Sequence, residues 1–410
     1  MKTDRLFENW FNSNYNRIIN DVFNYISIDT VTPNEENAFC FLKDYLESIN
    51  FKIIKQKFND ELQNHRLYTP SSYSKDTERY NYIATPNNPD DDLFKTVFNI
   101  HVDVVPASEK NPKAFEPYVS DGYIYGRGAC DTKTNLIALC EAIRFLQDNN
   151  IQIKKNIEIQ LPVEEEESGN GTLSIVMNGV TANEIIDMEP TNLILFAGHR
   201  GCITAKINTT GNPVHMGGQT KEISAINIAI EVISKLKELE TKLLEEAKEN
   251  ENFAFWDKPL KINVGKINGG EWPGSIPAKC QLVCNIGFLT NYSLDEIKNL
   301  IKEYCINKID EEKRKYISIE FDGLKNNAYY CKNKTNLINC IKEQEIPQPE
   351  KTYGWIVSCD ASIYNDILNI PTFIWGCGDL ADAHSEHERV SIEQIKKEIS
   401  ILSDYLSNDN

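Results

Sequence analysis

No stretch of this 410-residue chain approaches the roughly 18 uninterrupted apolar residues that a membrane span needs. The first residues, MKTDRLFENWFNSNYNR, are acidic and polar where a signal peptide would carry its apolar segment, so a cytoplasmic location is expected. Basic charge is short as well. Lys and Arg number 43 against 61 Asp and Glu, a formal net charge of −18, which argues against nucleic acid or an anionic membrane as partner. Eleven cysteines are present but form no CxxC pair, and their odd count suggests neither a thiolate zinc site nor a disulfide framework. Reduced, mostly buried thiols are the expectation. There is no internal repeat and no low-complexity tract.

What the chain does have is a soluble, folded composition, 41 % apolar and 25 % charged, over a length that implies two domains. The first hundred residues read as two helices followed by strands and loops, with Phe41, Leu42, Tyr45, Leu46 and Ile49 at helical spacing. A polar stretch over 59–92 reads as loops around a hairpin. In 96–105 alternation puts Phe98, Ile100, Val102 and Val104 on one face, with His101 and Asp103 on the other. A helix is predicted over 131–147, then strands over 156–163, 184–188, 192–197 and 371–376. Ser391 and Gln394 form a capping box that opens a terminal helix with the stripe Ile392, Ile395, Ile399 and Leu402. Strands interleaved with helices imply an α/β domain with a central mixed sheet flanked by helices.

Between these blocks, residues 198–322 read as β-α-β-β-α-β, the split βαβ or ferredoxin-like order. The expected organisation is therefore a domain of residues 1–197 and 323–410, interrupted by an inserted α+β domain of 198–322.

Histidine is scarce, with six in all, yet two stand among acids. His101 is followed by Asp103 near a strand end, and His384 lies in HSEHE after another strand. Between them come Asp131 in GRGACDTK, the run Glu164–Glu167, and Glu189 in DMEPT. Several fall at or after predicted strand ends, where open α/β sheets place their sites. Imidazole and carboxylate are natural zinc ligands, and a bridging carboxylate lets two ions sit roughly 3.5–4 Å apart. Asp103 is placed to accept the free ring N–H of His101. Each residue has a plainer role open to it: a satisfied core histidine, a solvated glutamate face, or a helix cap at Asp131.

The motifs HVD (101–103), GRGACDTK (126–133), EEEESGNGT (164–172), EPT (189–191) and AHSEHERV (383–390) occur in one order and at spacings that carry a resemblance. Together they resemble the zinc-dependent family of acetylornithine deacetylase, succinyl-diaminopimelate desuccinylase, aminoacylase and carboxypeptidase G, over nearly the whole chain. The resemblance implies two zinc ions per subunit, with cobalt or manganese as alternatives. His101 and Glu189 would hold one ion, Glu166 and His384 the other, with Asp131 bridging them and Glu165 as general base. His215, in GNPVHMGG, would polarise the scissile carbonyl, in many relatives from the partner subunit, which implies a homodimer through the inserted lid and dimerisation domain.

The glutamate run admits two registers. Aligned without a gap, Glu165 is the base and Glu166 the ligand; slid by one, they are Glu166 and Glu167. The implied reaction is cleavage of the amide bond of a small N-acylated amino acid by zinc-activated water. A dipeptidase, aminopeptidase or carboxypeptidase of the same family is the alternative, and a non-catalytic metal-binding scaffold a remote one. The resemblance departs at 285–290, where relatives often carry an arginine that clamps a carboxylate. Arg200 and Lys279 are the candidate replacements.

Overall fold

The computed structural model describes residues 2–71, 78–218 and 222–408, so part of the polar stretch over 59–92 lies outside the described residues. The chain divides into two compact units. One comprises Met1–Ala197, Cys331–Thr352 and Ile363–Asn410; the other comprises Gly198–Tyr330 and Tyr353–Ser362. The first unit thus resumes at 331, where the sequence suggests 323, and the second takes in an additional short segment.

The first unit is built on a mixed sheet whose strands run in the order Phe51–Lys57, Tyr80–Pro86, Lys155–Leu161, Phe94–Asn99, Glu184–Asp187, Thr372–Ile374, Phe196–His199. The four strands from Lys155–Leu161 to Thr372–Ile374 are mutually parallel. The flanking pairings are antiparallel. Parallel strands are covered on both faces, and these are accordingly apolar: Val97, Phe98, Ile157, Ile159, Ile185, Ile186, Phe373 and Ile374 are all buried. Helix Lys133–Asp148 is buried almost all round. It is tied to helix Lys2–Ile26 by the Trp10 indole N–H on Asp148 (2.8 Å) and by Arg17 on both oxygens of Glu141 (2.6 Å each). The terminal helix Ile392–Ser407 packs on it through Ile395, Ile399 and Leu402, each buried and each contributing about 1.5–3 kcal/mol. Only half of the expected capping box forms there. Ser391 accepts from the Gln394 N–H, but the Gln394 side chain turns instead to the Gly378 N–H and Asn192.

In the second unit an antiparallel sheet has the order Ile262–Gly269, Lys279–Phe288, Gly201–Thr210, Ile317–Glu320. Helices Ala225–Ala247 and Leu294–Lys302 fall between its strands in the chain. This is the split βαβ arrangement the sequence suggests. Ser224 caps the first helix through the Asn227 N–H, and Ser293 with Glu296 forms a complete capping box at the second.

Cysteine behaves as the composition suggests. All eleven are free thiols and ten are buried. No helix among the described residues is long and apolar enough to cross a membrane.

Candidate metal centre

Each of the four parallel strands delivers chemistry just beyond its carboxyl end. His101 follows Phe94–Asn99 by two residues, and the glutamate run follows Lys155–Leu161. Glu189 follows Glu184–Asp187, and the loop carrying His384 follows Thr372–Ile374. The strand at His101 is shorter than its alternation suggests. It leaves regular pairing at Asn99, although the Ile100 and Val102 N–H groups still donate to Gln160 and Pro162 carbonyls.

These ends converge on Asp131, in the turn before helix Lys133–Asp148. Its Oδ1 lies 3.0 Å from His101 Nε2 and its Oδ2 3.1 Å from His384 Nε2. His384 Nε2 also lies 2.9 and 3.1 Å from the two oxygens of Glu166. Liganding atoms of His101, Asp131 and Glu166 fall within 4.8 Å of one another. Glu189 is buried, and the charges of Glu165 and Asp131 act on it.

The tautomer of His101 decides what this cluster can hold. Its Nδ1 stands 2.8 Å from the Asp103 carbonyl, which can only accept, so Nδ1 carries a proton. A neutral ring then aims its Nε2 lone pair at an Asp131 oxygen, and only a cation between them, a proton or a metal, satisfies both. Protons can do this. Burial alone would lower His101, but Asp131, Glu165 and Asp103 lift it well above its ordinary value. Hydrogen bonds to Asp131 and Glu166 raise His384 to about 10. Burial, with Glu165 and Asp131, pushes Glu189 well up, while the two imidazoles hold Asp131 low against its burial. A divalent ion would replace these protons. Two ligands about 2.0–2.1 Å from a tetrahedral ion stand about 3.3 Å apart, so the observed spacings fit with small side-chain shifts.

Asp103 works differently from expectation. Its backbone carbonyl, not its carboxylate, takes the His101 N–H; the carboxylate lies 3.7 Å away. Its oxygens instead accept the backbone N–H groups of Glu165 (3.1 Å) and Glu166 (3.0 Å). Burial pushes this carboxyl up to about 8 against the pull of His101, and cations bound at its neighbours would draw it down.

The glutamate run is a turn, not a strand, so its side chains do not alternate between two faces. Glu164 is fully buried on Arg79, Glu166 reaches His384, and Glu167 is exposed. Gly171 explains part of the motif that follows. A Cβ there would stand 2.1 Å from the Val163 carbonyl, so only glycine lets helix Asn170–Met177 start this close to the strand end.

Two supports stand beside the cluster. Buried Glu388 pairs with Arg127 and accepts the N–H groups of Cys130 and Asp131 (3.2 Å each), fixing the loop that presents Asp131. Its place four residues after His384 was the one signal. Arg79, which no motif contains, holds Glu164 and Glu35.

Three candidate residues belong to the second unit. His215 is exposed, and its Nδ1 accepts the Gly217 N–H at 3.1 Å, which leaves Nε2 as the protonated, donating nitrogen. The Arg200 guanidinium is engaged by the Ile356 and Gly201 carbonyls. Lys279 is exposed at the start of its strand.

The sequence model of peptidase family M20/M25/M40 matches residues 97–408. The N-formyl-4-amino-5-aminomethyl-2-methylpyrimidine deformylase of Bacillus subtilis is 25 % identical over 359 residues, covering 77 % of this chain and 79 % of that protein. The acetylornithine deacetylase of Aliivibrio salmonicida is 26 % identical over 310 residues, covering 74 % and 78 %. Among solved structures, the di-peptidase Dug1p of Saccharomyces cerevisiae superposes with a TM-score of 0.75 at 15 % identity, covering 98 % of this chain and 97 % of its own.

Proposed function

This chain belongs to peptidase family M20/M25/M40, a family of metal-dependent hydrolases, and from that premise we propose that it cleaves the amide bond of a small N-acylated amino acid. The carrying observation is Asp131, one carboxylate with a histidine on each oxygen, at 3.0 and 3.1 Å. That arrangement suits a pair of ions, assigned here as zinc with cobalt or manganese as alternatives. His101 and Glu189 would hold one, Glu166 and His384 the other, with Asp131 between them. Bound there, divalent ions supply a water acidified towards neutrality and a Lewis acid for the carbonyl oxygen.

The chain's own residues do the rest. Glu165 is the proton carrier in this reading: its carboxylate takes a proton from the attacking water and passes it to the departing amine nitrogen. The gap-free register is supported by Glu166, not Glu167, lying against His384. Asp103 orients the pair by holding both backbone N–H groups. His215 donates from Nε2 to the carbonyl oxygen as negative charge grows on it.

Two relatives carry names that specify removal of a small acyl group, a deformylase and a deacetylase, which favours the deacylase reading. The inserted domain is read as a lid and as the contact of a homodimer, His215 serving the partner's site. Ile267, on the sheet's edge strand, and Ile230, on the helix beside it, are 58 % and 57 % exposed, as a self-association face would have them. The chain is placed in the cytoplasm, where unpaired thiols such as these persist.

The test is release of primary amine from a panel of N-formyl, N-acetyl and N-succinyl amino acids alongside unblocked dipeptides, with and without chelator. Chelator-sensitive release from a blocked substrate supports the proposal. Release from dipeptides alone replaces it with a peptidase.

A further inference from the structure

Glu164, the first of the four glutamates, makes no contact with the histidines of the metal centre, yet it is fully buried. Its Oε1 accepts from Arg79 Nε at 2.7 Å. The same guanidinium donates through Nη2 to Glu35 Oε1 (2.6 Å) and through Nη1 to the Pro33 carbonyl (3.1 Å). Glu35 is buried too, and it accepts the Thr32 hydroxyl at 3.0 Å. One planar fork therefore joins two buried carboxylates from distant parts of the chain, a task for which arginine's fixed geometry suits it and lysine's does not. Removing three charges from water at a net charge of −1 is a poor way to gain stability, since apolar residues of similar volume would serve as well.

The backbone shows what the cluster does. Glu164 has φ +65°, a left-handed conformation that a residue with a side chain keeps only when its surroundings hold it. Its carbonyl accepts the Ser168 and Gly169 N–H groups (3.0 and 2.9 Å), and its Oε2 takes the Ser168 hydroxyl at 3.1 Å. That reversal at Glu164 turns the next two N–H groups onto Asp103 and sends Glu166 to His384. Freed of Arg79, Glu164 would move towards water and an ordinary φ, carrying its two successors with it.

We infer that the Glu35–Arg79–Glu164 triad is a positioning clamp: it fixes the reversal at Glu164 and thereby sets where the Glu165 and Glu166 carboxylates stand. Arg79 makes no hydrogen bond to the proposed metal ligands, so it acts on them through Glu164. The inference rests on the proposed roles of Glu165 and Glu166.

Arg79→Met and Arg79→Lys, each shown folded by circular dichroism, are compared with the wild type in two assays. Metal affinity is read by competition with a chromogenic zinc chelator, and kcat and KM at saturating zinc. The clamp predicts that Arg79→Met loses about 10–100-fold in metal affinity or in kcat, with KM changed by no more than about threefold. Arg79→Lys keeps the charge without the fork and recovers part of that loss. Folded Arg79→Met with wild-type affinity and wild-type kcat per folded molecule would overturn the inference. If Arg79→Met does not fold, Arg79→Met/Glu35→Gln, which keeps the net charge of the triad, is read in the same assays against the same two outcomes. A wild type that hydrolyses nothing on the panel refutes the functional proposal, while the zinc competition still decides the clamp.

Discussion

Replacing Asp103 by asparagine tests the architecture of the site with a change of one atom. Both carboxylate oxygens are in use, one on the Glu165 N–H at 3.1 Å and the other on the Glu166 N–H at 3.0 Å. An asparagine amide keeps one acceptor and sets an NH2 group against the other N–H, and neither orientation of the amide escapes this. The variant loses a hydrogen bond to a charged acceptor, about 1.5–3 kcal/mol, and leaves a buried donor facing a donor. A net loss of roughly 2–4 kcal/mol follows if the turn holds its place, lowering the melting temperature by about 5–10 °C for a unit of this size. If the turn shifts instead, the loss appears in catalysis, because misplacing a catalytic group by about 1 Å costs about 100-fold in rate. Differential scanning calorimetry and steady-state kinetics at saturating zinc read the two routes together. A variant that melts within about 1 °C of the wild type and keeps kcat within about twofold would refute the reasoning.

Other outcomes follow from the same geometry. Burial raises the carboxyl of Glu398 to about 8, against the pull of the neighbouring Cys377 thiol and backbone N–H. Because the folded value lies above the unfolded one of about 4.3, its contribution to stability is complete below that value and is lost as pH rises towards about 8. Glu398→Gln should therefore match the wild type in urea melts near pH 4 and exceed it above about pH 8, by up to about 5 kcal/mol; parallel pH profiles would contradict this. Stripping metal with chelator should lower the melting temperature by the equivalent of about 3–4 kcal/mol at zinc concentrations 100–1,000 times Kd, and added zinc should restore it. Light scattering on eluting protein should give twice the chain mass of 46.9 kDa, and Ile267→Asp on the exposed edge strand should return it to one.

The sequence was most legible where a local pattern coincides with a spatial requirement. Alternation in 96–105 and 156–163 located the strands, and acids and histidines just past them located the converging ends, because parallel strands present their carboxyl ends on one edge. The split βαβ order of the second unit could be read from element order. The legible part ended where a contact depends on distant segments. Arg79 sits in a polar stretch with nothing to distinguish it, and only the fold brings it between Glu35 and Glu164. The glutamate run follows an alternating strand, but Glu164 reverses the chain, so strand alternation does not carry into it. Asp103 was singled out for its place beside His101, but its carboxylate serves two backbone N–H groups that no side-chain pattern announces. Where the chain re-enters the first unit depends on packing between segments, so no local signal marks 331 over 323.

The central claim is that Glu165 moves the proton while its neighbours hold metal. The direct measurement is hydrolysis of the best N-acyl amino acid by Glu165→Gln, with metal content of the same sample determined by atomic absorption. The expected result is the wild-type metal content with turnover reduced by about 100-fold or more, the contribution a general base makes. Wild-type turnover with metal intact would contradict the assignment and remove Glu165 from the chemistry.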